Sequence, residues 1–255
     1  MRSIIEADET TDFSVSEVQR KPSIPRRAFR KLVHLISYHF ILNRDQVSST
    51  AVSGLLLKVE PTVFHPKVFL TSKFFADFLL KLDLRGRTAV EIGTGSGILA
   101  LCAAKAGAAS VLALDINPAA VKSAAANAKA NGLETQVRAM LSDLFSSVPA
   151  EEKFDVIIAS PPSFAGEPLS IADRAWHAGP EYRDIAPLFQ QARQRMTDDG
   201  SMYLLLSSDS DLKFLHGLIE QAGLAFSVVA RSSIWIETFI LYELKPDESL
   251  GAAGR

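Results

Sequence analysis

The fold is decided by one stretch of the sequence, Val90-Glu91-Ile92-Gly93-Thr94-Gly95-Ser96-Gly97-Ile98-Leu99. Its apolar first part belongs to a predicted strand over residues 88–92, and its last part begins a predicted helix over residues 97–106. Between them lies a turn with three alternating glycines. Glycine lets the backbone take positive φ angles and lets a ligand approach main-chain atoms closely. A tight turn without a ligand is one interpretation, but the alternating glycines favour a binding loop.

Strands and helices alternate regularly after this turn. This pattern predicts an α/β fold with a doubly wound, mostly parallel sheet of seven strands. The final two strands have no helix between them, so we expect the last strand to run antiparallel to the others. The predicted strands cover residues 88–92, 111–115, 136–140, 154–160, 201–207, 225–231 and 235–244, and the predicted helices cover residues 97–106, 118–131, 182–196 and 209–222.

The N-terminal part of the chain is organised differently. Its first residues lack apolar periodicity, which predicts disorder, and the residues that follow carry a helical pattern and a probable turn at Glu60-Pro61. The predicted organisation is a disordered arm at 1–24, a small helix and hairpin appendage at 25–62, the main domain at 63–245 and a disordered tail at 246–255.

The appendage has two alternative roles. We place its strands at residues 51–59 and 62–64. A further predicted helix at 72–82 belongs to the main domain. The appendage's own helix has an apolar face that needs a partner surface, because an isolated helix of this length is marginally stable in water. We favour packing on the main domain as a lid; the alternative is pairing with a second copy of the chain in a homodimer. The apolar face comprises Phe29, Leu32, Val33, Ile36 and Phe40.

The charge composition argues against a broad nucleic-acid footprint. Lys and Arg number 27 and Asp and Glu number 29, so the formal net charge is −2, whereas nucleic-acid-binding domains are usually basic. One local cluster of cations is either the solvated face of a helix or a contact for phosphate or an acidic partner. This cluster comprises Arg20, Lys21, Arg26, Arg27, Arg30 and Lys31.

The cysteine count and the apolar runs indicate a cytoplasmic protein. Cys102 is the only cysteine, so no disulfide can form within the chain. No apolar run reaches the ~18 residues of a membrane-spanning helix. The N-terminus turns acidic at once, so we expect no signal peptide. We also expect no metal site, because His34 and His39 point to different helical faces and have no cysteine or carboxylate cluster nearby.

The spacing of the glycines indicates which nucleotide the turn binds. A dinucleotide fingerprint, G-x-G-x-x-G, requires glycine at position 98, where this chain has Ile98. We therefore expect no binding of NAD(P)H. The next predicted strand ends in Asp115, whose carboxylate can accept hydrogen bonds from the ribose hydroxyls of an adenosine group. A helix cap is the alternative role for this carboxylate.

A second motif indicates the chemistry. The predicted buried strand at 154–160 runs into Ser160-Pro161-Pro162-Ser163-Phe164. Two consecutive prolines fix φ and remove two donors, which leaves rigid carbonyl acceptors beside the binding loop. An NH₂ group can donate to such a carbonyl and to the side chain that precedes the prolines. The lone pair of the nitrogen then points away from these acceptors. Holding a reacting group in a fixed orientation in this way is catalysis by positioning.

These motifs, in this order, resemble those of class I S-adenosylmethionine (SAM) methyltransferases of the HemK type, the protein-glutamine N5 branch and its relatives. The resemblance extends from Val63 to Lys245 and includes the segment 173–179, D-R-A-W-H-A-G, which is similar to the family's D-x-A-W-x-G-G. It implies a Rossmann-like fold, SAM as cofactor and an acceptor nitrogen. It implies Glu91, Gly93, Thr94, Gly95, Gly97, Asp115, Ile116, Asn117, Asp143 and Leu144 as cofactor-binding, Ser160, Pro161 and Pro162 as catalytic, and Ser163, Phe164 and His177 as substrate-binding.

Two positions depart from the family pattern. Ser160 stands where the glutamine branch has Asn, and Ser163 stands where it has an aromatic residue. Three acceptor classes therefore stay open: a protein side chain, a small metabolite and a nucleic-acid base. A non-catalytic SAM-binding scaffold is the alternative from another class of function.

Overall fold

The structure is a computed structural model that describes residues 5–6, 46–65, 70–233 and 237–248. The predicted disordered arm, the amphipathic helix of the appendage, the cation cluster and the two histidines at 34 and 39 lie outside the described residues, except for residues 5–6. So do residues 249–255 of the predicted tail. The lid and homodimer hypotheses for the appendage helix therefore stay predictions.

A central sheet dominates the described part of the chain. Its strand order is β1-β9-β10-β8-β7-β4-β5-β6, and β2 and β3 form a separate hairpin. The strands are β1 Ile5–Glu6, β2 Ser48–Val52, β3 Leu55–Val59, β4 Thr88–Ile92, β5 Ser110–Asp115, β6 Val137–Leu141, β7 Phe154–Ala159, β8 Met196–Ser207, β9 Leu224–Ser233 and β10 Thr238–Pro246. The helices are α1 Leu70–Leu79, α2 Ile98–Lys105, α3 Pro118–Ala130, α4 Ala186–Arg195 and α5 Leu212–Gln221.

The strand directions confirm the predicted doubly wound sheet. Strands β8, β7, β4, β5 and β6 are mutually parallel. The last strand, β10, is antiparallel to both β8 and β9, as its direct connection to β9 predicts. The seven predicted strands are all present, and the two-residue β1 adds an antiparallel edge beside β9. The carboxyl ends of β4, β5 and β7 thus meet at one edge of the sheet, where open α/β folds bind ligands.

The core lies on both faces of the sheet. The central strands are mostly apolar because helices cover both of their faces; in β7 the residues Val156 to Ala159 are all buried. Helix α2 is apolar all round and buried from Ile98 to Ala104. Its N-cap residue is Gly97, where a Cβ atom would lie 2.9 Å from the Cα of Ala124 in α3. Glycine therefore permits the close packing that holds α2 and α3 beside the binding turn.

The hairpin corrects one prediction. Strands β2 and β3 pair with Val52 opposite Leu55, so the turn is Ser53-Gly54 and not Glu60-Pro61. Both turn residues have positive φ, 50° and 73°, as type I′ hairpin turns require. The predicted single strand at 51–59 and the strand at 62–64 are therefore wrong. Serine rarely adopts this conformation. The pattern Val-Ser-Gly-Leu at residues 52–55 therefore indicates a turn less strongly than Pro61 does.

The hairpin is attached to the main domain by two asparagines of α3. The side chain of Asn127 accepts the N–H of Lys58 over 2.7 Å and donates to its carbonyl oxygen over 2.8 Å. Asn131 makes the same pair of bonds with Leu56, over 3.1 Å and 2.8 Å. These amides substitute for a neighbouring strand along the edge of β3. The described half of the appendage therefore packs on its own domain.

Several element boundaries differ from the predicted ones. Helix α4 begins at Ala186 and not at residue 182, because residues Pro180–Tyr182 form a 3-10 turn in which Glu181 has φ 52°. Strand β8 begins at Met196, five residues before the predicted start, since Met196 pairs with Phe154. Helix α5 begins at Leu212. Strand β10 reaches Pro246, which pairs with Leu224, so the predicted tail begins one residue too early.

Candidate active site

One cavity of about 380 Å³ lies at the carboxyl ends of β4, β5 and β7. The glycine turn after β4, the loop after β6 and the Pro-Pro loop after β7 form its walls, together with the segment 171–178 and residues from the start of β10. These loops come from separate parts of the sequence, and the parallel sheet brings them together. The cavity therefore joins the predicted nucleotide-binding turn to the predicted Pro-Pro motif.

The glycine turn takes the backbone conformation that its sequence predicts. Gly93, Gly95 and Gly97 have φ angles of 76°, 53° and 83°. The N–H groups of Gly93 and Thr94 both donate to the carbonyl oxygen of Leu114, each over 2.9 Å. The turn is thus anchored on the neighbouring strand β5, and its glycines leave main-chain atoms accessible from the cavity.

Glu91 is a buried carboxyl group that lines the cavity. Its side chain is 2% exposed, and its Oε2 accepts the Thr94 hydroxyl over 2.5 Å and the Ala100 N–H over 2.9 Å. Burial raises the pKa of Glu91 to about 8, although both hydrogen bonds favour the ionised form. A cationic group in the cavity would stabilise the ionised carboxylate and lower this pKa again. The site therefore suits the amino group of an amino-acid moiety.

Asp115 lies at the end of β5, on the cavity wall. Its Oδ2 accepts the N–H of Gly95 and its Oδ1 accepts the N–H of Asn117, both over 2.8 Å. Burial raises the pKa of Asp115, and these backbone donors oppose the rise. Each carboxylate oxygen keeps lone-pair capacity for a further donor, as the two hydroxyls of a ribose require.

Asn117 connects the segment before the main domain to this wall. Its Oδ1 caps helix α3 through the N–H of Ala119 over 3.0 Å, and its Nδ2 donates to the carbonyl and hydroxyl oxygens of Thr62 over 3.3 Å and 3.2 Å. Thr62 has φ 69°, and Val63 and Phe64 follow it on the cavity wall. The same asparagine thus caps a helix and holds one side of the cavity in place.

The loop after β6 closes another side. The Ser142 hydroxyl donates to the carbonyl oxygen of Leu144 over 2.8 Å and accepts the N–H of Ser147 over 3.1 Å. Leu144 has φ 48° in this turn. Asp143 is exposed at the cavity wall. Its carboxylate can therefore accept a hydrogen bond from a ligand that reaches this side.

The Pro-Pro loop is held in place by a tyrosine. The Tyr182 hydroxyl donates to the carbonyl oxygen of Ser163 over 3.1 Å and accepts the N–H of Asp211 over 2.8 Å. Phe164 pairs through its backbone with Trp176 and Ala178, over 3.0 Å and 2.9 Å. These bonds fix the loop while Ser160 stays exposed to the cavity.

Aromatic rings and a histidine surround the Pro-Pro loop. The Trp176 ring stacks on Phe164 at a centroid distance of 6.4 Å and meets Phe64 edge-on at 5.8 Å. The next residue, His177, bonds through Nδ1 to the Oδ1 of Asp173 over 2.9 Å. All of these residues except Asp173 line the cavity.

The predicted site residues come together with one exception. Every residue named for the cofactor, the chemistry or the substrate lines the cavity, except Gly97, whose role in the structure is the close contact with α3. Sequence reasoning missed Tyr182, Asp173 and Glu237. The separation of four residues between Asp173 and His177 was a usable signal, whereas nothing in the sequence indicated the bond from Tyr182 to the Pro-Pro loop.

Neither a membrane-spanning helix nor a metal-binding cluster occurs among the described residues. No described helix combines the length and the apolar character that crossing a membrane requires. Within residues 46–65, 70–233 and 237–248, no group of three or more His, Cys, Asp or Glu side chains is arranged to hold a metal ion.

Known proteins resemble this chain in sequence and in fold. The family model of ribosomal protein L11 methyltransferase matches residues 70–160. A protein from Methanocaldococcus jannaschii, described as a "putative protein N5-glutamine methyltransferase", is 30% identical over 199 residues, which are 74% of this chain and 95% of that protein. Because the match spans nearly all of that protein, it shows that the two chains belong to one family and do not merely share a motif.

Two solved structures share the fold. A ribosomal protein L11 methylase from Lactobacillus delbrueckii subsp. bulgaricus has a TM-score of 0.54 and 22% identity, covering 73% of this chain and 84% of that chain. The T. thermophilus 16S rRNA N2 G1207 methyltransferase, solved with AdoMet and guanosine, has a TM-score of 0.59 and 24% identity, covering 78% of this chain and 50% of that chain.

The fold and the site define a class I SAM-dependent methyltransferase. Within that class, the chain belongs to the family of the Methanocaldococcus jannaschii protein. Its own residues fit the cofactor, because a buried carboxyl, a glycine turn with positive φ angles and a strand-end aspartate meet in one cavity. SAM is therefore the cofactor of this enzyme.

Proposed function

We propose that this enzyme transfers a methyl group to a nitrogen atom of an acceptor, which is a protein side chain or a small molecule. The observation that carries this proposal is the place of Ser160-Pro161-Pro162 in the cavity that also contains Glu91 and Asp115. A loop that presents rigid hydrogen-bond acceptors beside a cofactor site suits a substrate with N–H donors. The name of the Methanocaldococcus jannaschii relative also supports a nitrogen acceptor.

One group of residues would bind the cofactor, and the Pro-Pro loop would orient the acceptor nitrogen. Glu91 would hold the amino group of the cofactor, Asp115 its ribose hydroxyls, and the exposed Asp143 its adenine. Bound SAM supplies a methyl group on a sulfonium ion, which is electrophilic. Ser160 and the carbonyl groups of the Pro-Pro loop accept hydrogen bonds from the acceptor nitrogen and orient its lone pair, so that catalysis depends chiefly on positioning.

Ser160 distinguishes this site from one built for a glutamine amide. An asparagine side chain can both donate to and accept from an amide, which matches the carbonyl and NH₂ of glutamine. The single hydroxyl of Ser160 has a shorter reach and only one proton to donate. Phe164, stacked on Trp176, provides the aromatic surface that Ser163 lacks. Nucleic-acid bases are less favoured, because the formal net charge of −2 gives no general attraction for phosphate.

The proposal is tested with cofactor labelled in the methyl group. The purified protein is incubated with labelled SAM and a cell lysate, and labelled products are identified by mass spectrometry. We expect a label on nitrogen that depends on the protein and is lost in Asp115→Ala. Asp198→Ala serves as a matched control and should retain transfer, since Asp198 is exposed and lies outside the cavity. A label on carbon or oxygen, or none, contradicts the proposal.

A cytoplasmic site of action forms part of the proposal. It is supported by the use of cysteine, because the single Cys102 is fully buried in α2 and burial raises the pKa of its thiol to about 12. Such a thiol is inert at neutral pH. Fractionation of cells that express the tagged protein tests this location, and recovery with membranes or in the periplasm contradicts it.

A further inference from the structure

A histidine and a buried aspartate form a pair beside the Pro-Pro loop that methyl transfer to an amide does not require. The Asp173 residue is 2% exposed. Its Oδ1 bonds to Nδ1 of His177 over 2.9 Å, and its Oδ2 accepts the N–H of Leu169 over 2.8 Å. Because Asp173 is an acceptor, Nδ1 carries the proton in the neutral ring. The Nε2 atom is then the basic one, and it has no hydrogen-bond partner among the described residues.

The ring is also fixed by packing. A Cβ atom on Gly166 would lie 2.9 Å from Cδ2 of His177, so glycine allows the ring to approach the chain at that point. The Phe164 ring lies at a centroid distance of 6.1 Å, and the backbone of Phe164 bonds to the residues on either side of His177. The side chain is still 37% exposed, and it lines the cavity. A buried carboxylate, a fixed ring and an accessible Nε2 are the elements of an oriented base.

The remaining wall of the cavity suits a cation. Besides the three carboxylates assigned to the cofactor, the lining contains Asp184 and Glu237 and one arginine, Arg174. Asp184 pairs with Arg174 over 3.2 Å and with Arg183 over 2.9 Å, and the Glu237 carboxylate accepts the Ser207 hydroxyl. The faces of Phe64, Phe164 and Trp176 line the same space and attract cations through their ring electrons.

We propose that the acceptor is an amine that enters in its protonated form, and that His177, oriented by Asp173, removes that proton. This rests on the proposed function. An N–H bond of the ammonium breaks, its electron pair stays on nitrogen as the lone pair, and the proton binds to Nε2 to give an imidazolium beside the Asp173 carboxylate. The proton later leaves to water. An amide nitrogen carries no such proton, and its N–H is too weak an acid for an imidazole to remove.

Acid hydrolysis of the labelled products separates an amine acceptor from an amide. A methylated amide is cleaved and releases its label as volatile methylamine, whereas a methylated amine keeps the label on its carbon skeleton. We expect retained label in hydrolysates from the lysate experiment. Separation by size beforehand shows whether the amine belongs to a free small molecule or to a protein side chain. Label released as methylamine overturns the inference and leaves the proposed function standing; complete absence of label overturns both.

The role of the histidine is tested with His177→Asn. The amide nitrogen of asparagine can occupy the place of Nδ1 and keep the bond to Asp173, while Nε2 is removed. With the amine recovered above as substrate, we expect kcat/KM to fall about 10²–10³-fold at neutral pH, with unchanged affinity for S-adenosylhomocysteine by calorimetry. His216→Phe, outside the cavity, should leave kcat/KM within a factor of about two.

The pH profile distinguishes a base from a structural histidine. From about pH 7 to about pH 9 an alkylamine is mostly protonated. With SAM saturating, so that Glu91 is ionised throughout, the proton in the wild-type enzyme stays in the complex on His177, and kcat/KM for the amine should be nearly independent of pH over this range. In His177→Asn the proton must first leave to solvent, so kcat/KM should rise about tenfold per pH unit. Parallel profiles in the two proteins contradict the assignment of His177 as the base.

Discussion

The carboxylate of Asp115 accepts the backbone N–H of Gly95 over 2.8 Å. This bond joins the end of the second central strand to the glycine turn that follows the first, although the two residues are 20 positions apart. The aspartate therefore shapes the turn besides presenting its oxygens to the cavity. A helix cap, the alternative role for this residue, falls instead to Asn117.

Removal of Glu91 as a titrating group changes proton release on cofactor binding. Because burial raises the pKa of Glu91 to about 8, its carboxyl is mostly protonated at pH 7, and a bound ammonium group favours ionisation. We predict that SAM binding at pH 7 releases a proton, and that the release disappears in Glu91→Gln. Calorimetry in buffers of different ionisation enthalpy measures it. Equal proton release in both proteins contradicts the role assigned to Glu91.

The same carboxyl makes stability depend on pH. Between its ordinary value of 4.5 and about 8, the folded protein keeps the Glu91 proton that the unfolded chain loses. The contribution of Glu91 to the free energy of unfolding therefore falls as pH rises through this range. We predict that Glu91→Gln, measured by urea unfolding, is more stable relative to wild type at pH 8 than at pH 5. A difference that is constant with pH contradicts this.

His216 has the opposite pH dependence. Its ring is buried between Phe226, stacked at a centroid distance of 4.2 Å, and Tyr242, at 5.2 Å. Burial lowers its pKa below the ordinary 6.5, and Glu220 opposes this. The folded state therefore excludes a proton that the unfolded chain binds, so stability is lost as pH falls below about 6.5. We predict that His216→Phe loses less stability than wild type between pH 7.5 and pH 5 in urea titrations.

Gly97 and Gly93 form a matched pair for testing the close approach of α2 and α3. Both have positive φ, so alanine at either position is strained by about 1–2 kcal/mol. A Cβ at position 97 also meets the Ala124 backbone at 2.9 Å, whereas nothing lies within 4 Å of one at position 93. We predict that Gly97→Ala lowers the free energy of unfolding by about 1–3 kcal/mol more than Gly93→Ala does. Equal losses contradict the packing role.

Tyr182→Phe tests whether the Pro-Pro loop must be held rigid. The substitution removes the bonds to the Ser163 carbonyl and the Asp211 N–H, while the ring keeps its stacking on Phe214. Because catalysis here depends on positioning, we predict a fall in kcat of about tenfold with unchanged affinity for S-adenosylhomocysteine. A loss of cofactor affinity together with kcat would show that the tyrosine supports the whole cavity and not the loop alone.

The sequence predicted the central fold well because its signals are local. Strand β4 agrees in both bounds with its prediction, and the antiparallel β10 followed from the missing helix before it. The hairpin was misplaced because its turn depends on a positive φ at Ser53, which no residue pattern shows reliably. Its position depends on Asn127 and Asn131, whose partners are about 70 residues away in sequence.

The sequence predicted the motifs that form the site, but it did not predict the long-range contacts that hold them in place. The glycine turn, Asp115 and the Pro-Pro loop are each recognisable in short stretches. The bond from Tyr182 to the loop and the place of Glu237 in the cavity wall are long-range consequences of the fold. Gly97 lies outside the cavity lining and permits the close packing of α2 against α3, and its assignment to the cofactor stays a prediction.

Calorimetric titration of the wild-type protein and Asp115→Ala with S-adenosylhomocysteine tests the central claim, that this cavity binds the cofactor, most directly. We predict one-to-one binding to the wild type and an affinity at least about tenfold lower for Asp115→Ala, since hydrogen bonds to a charged group are removed and the glycine turn loses its anchor. NADH serves as the control ligand and should give no binding heat. Absence of binding to the wild type, or equal affinity in both proteins, would contradict the claim.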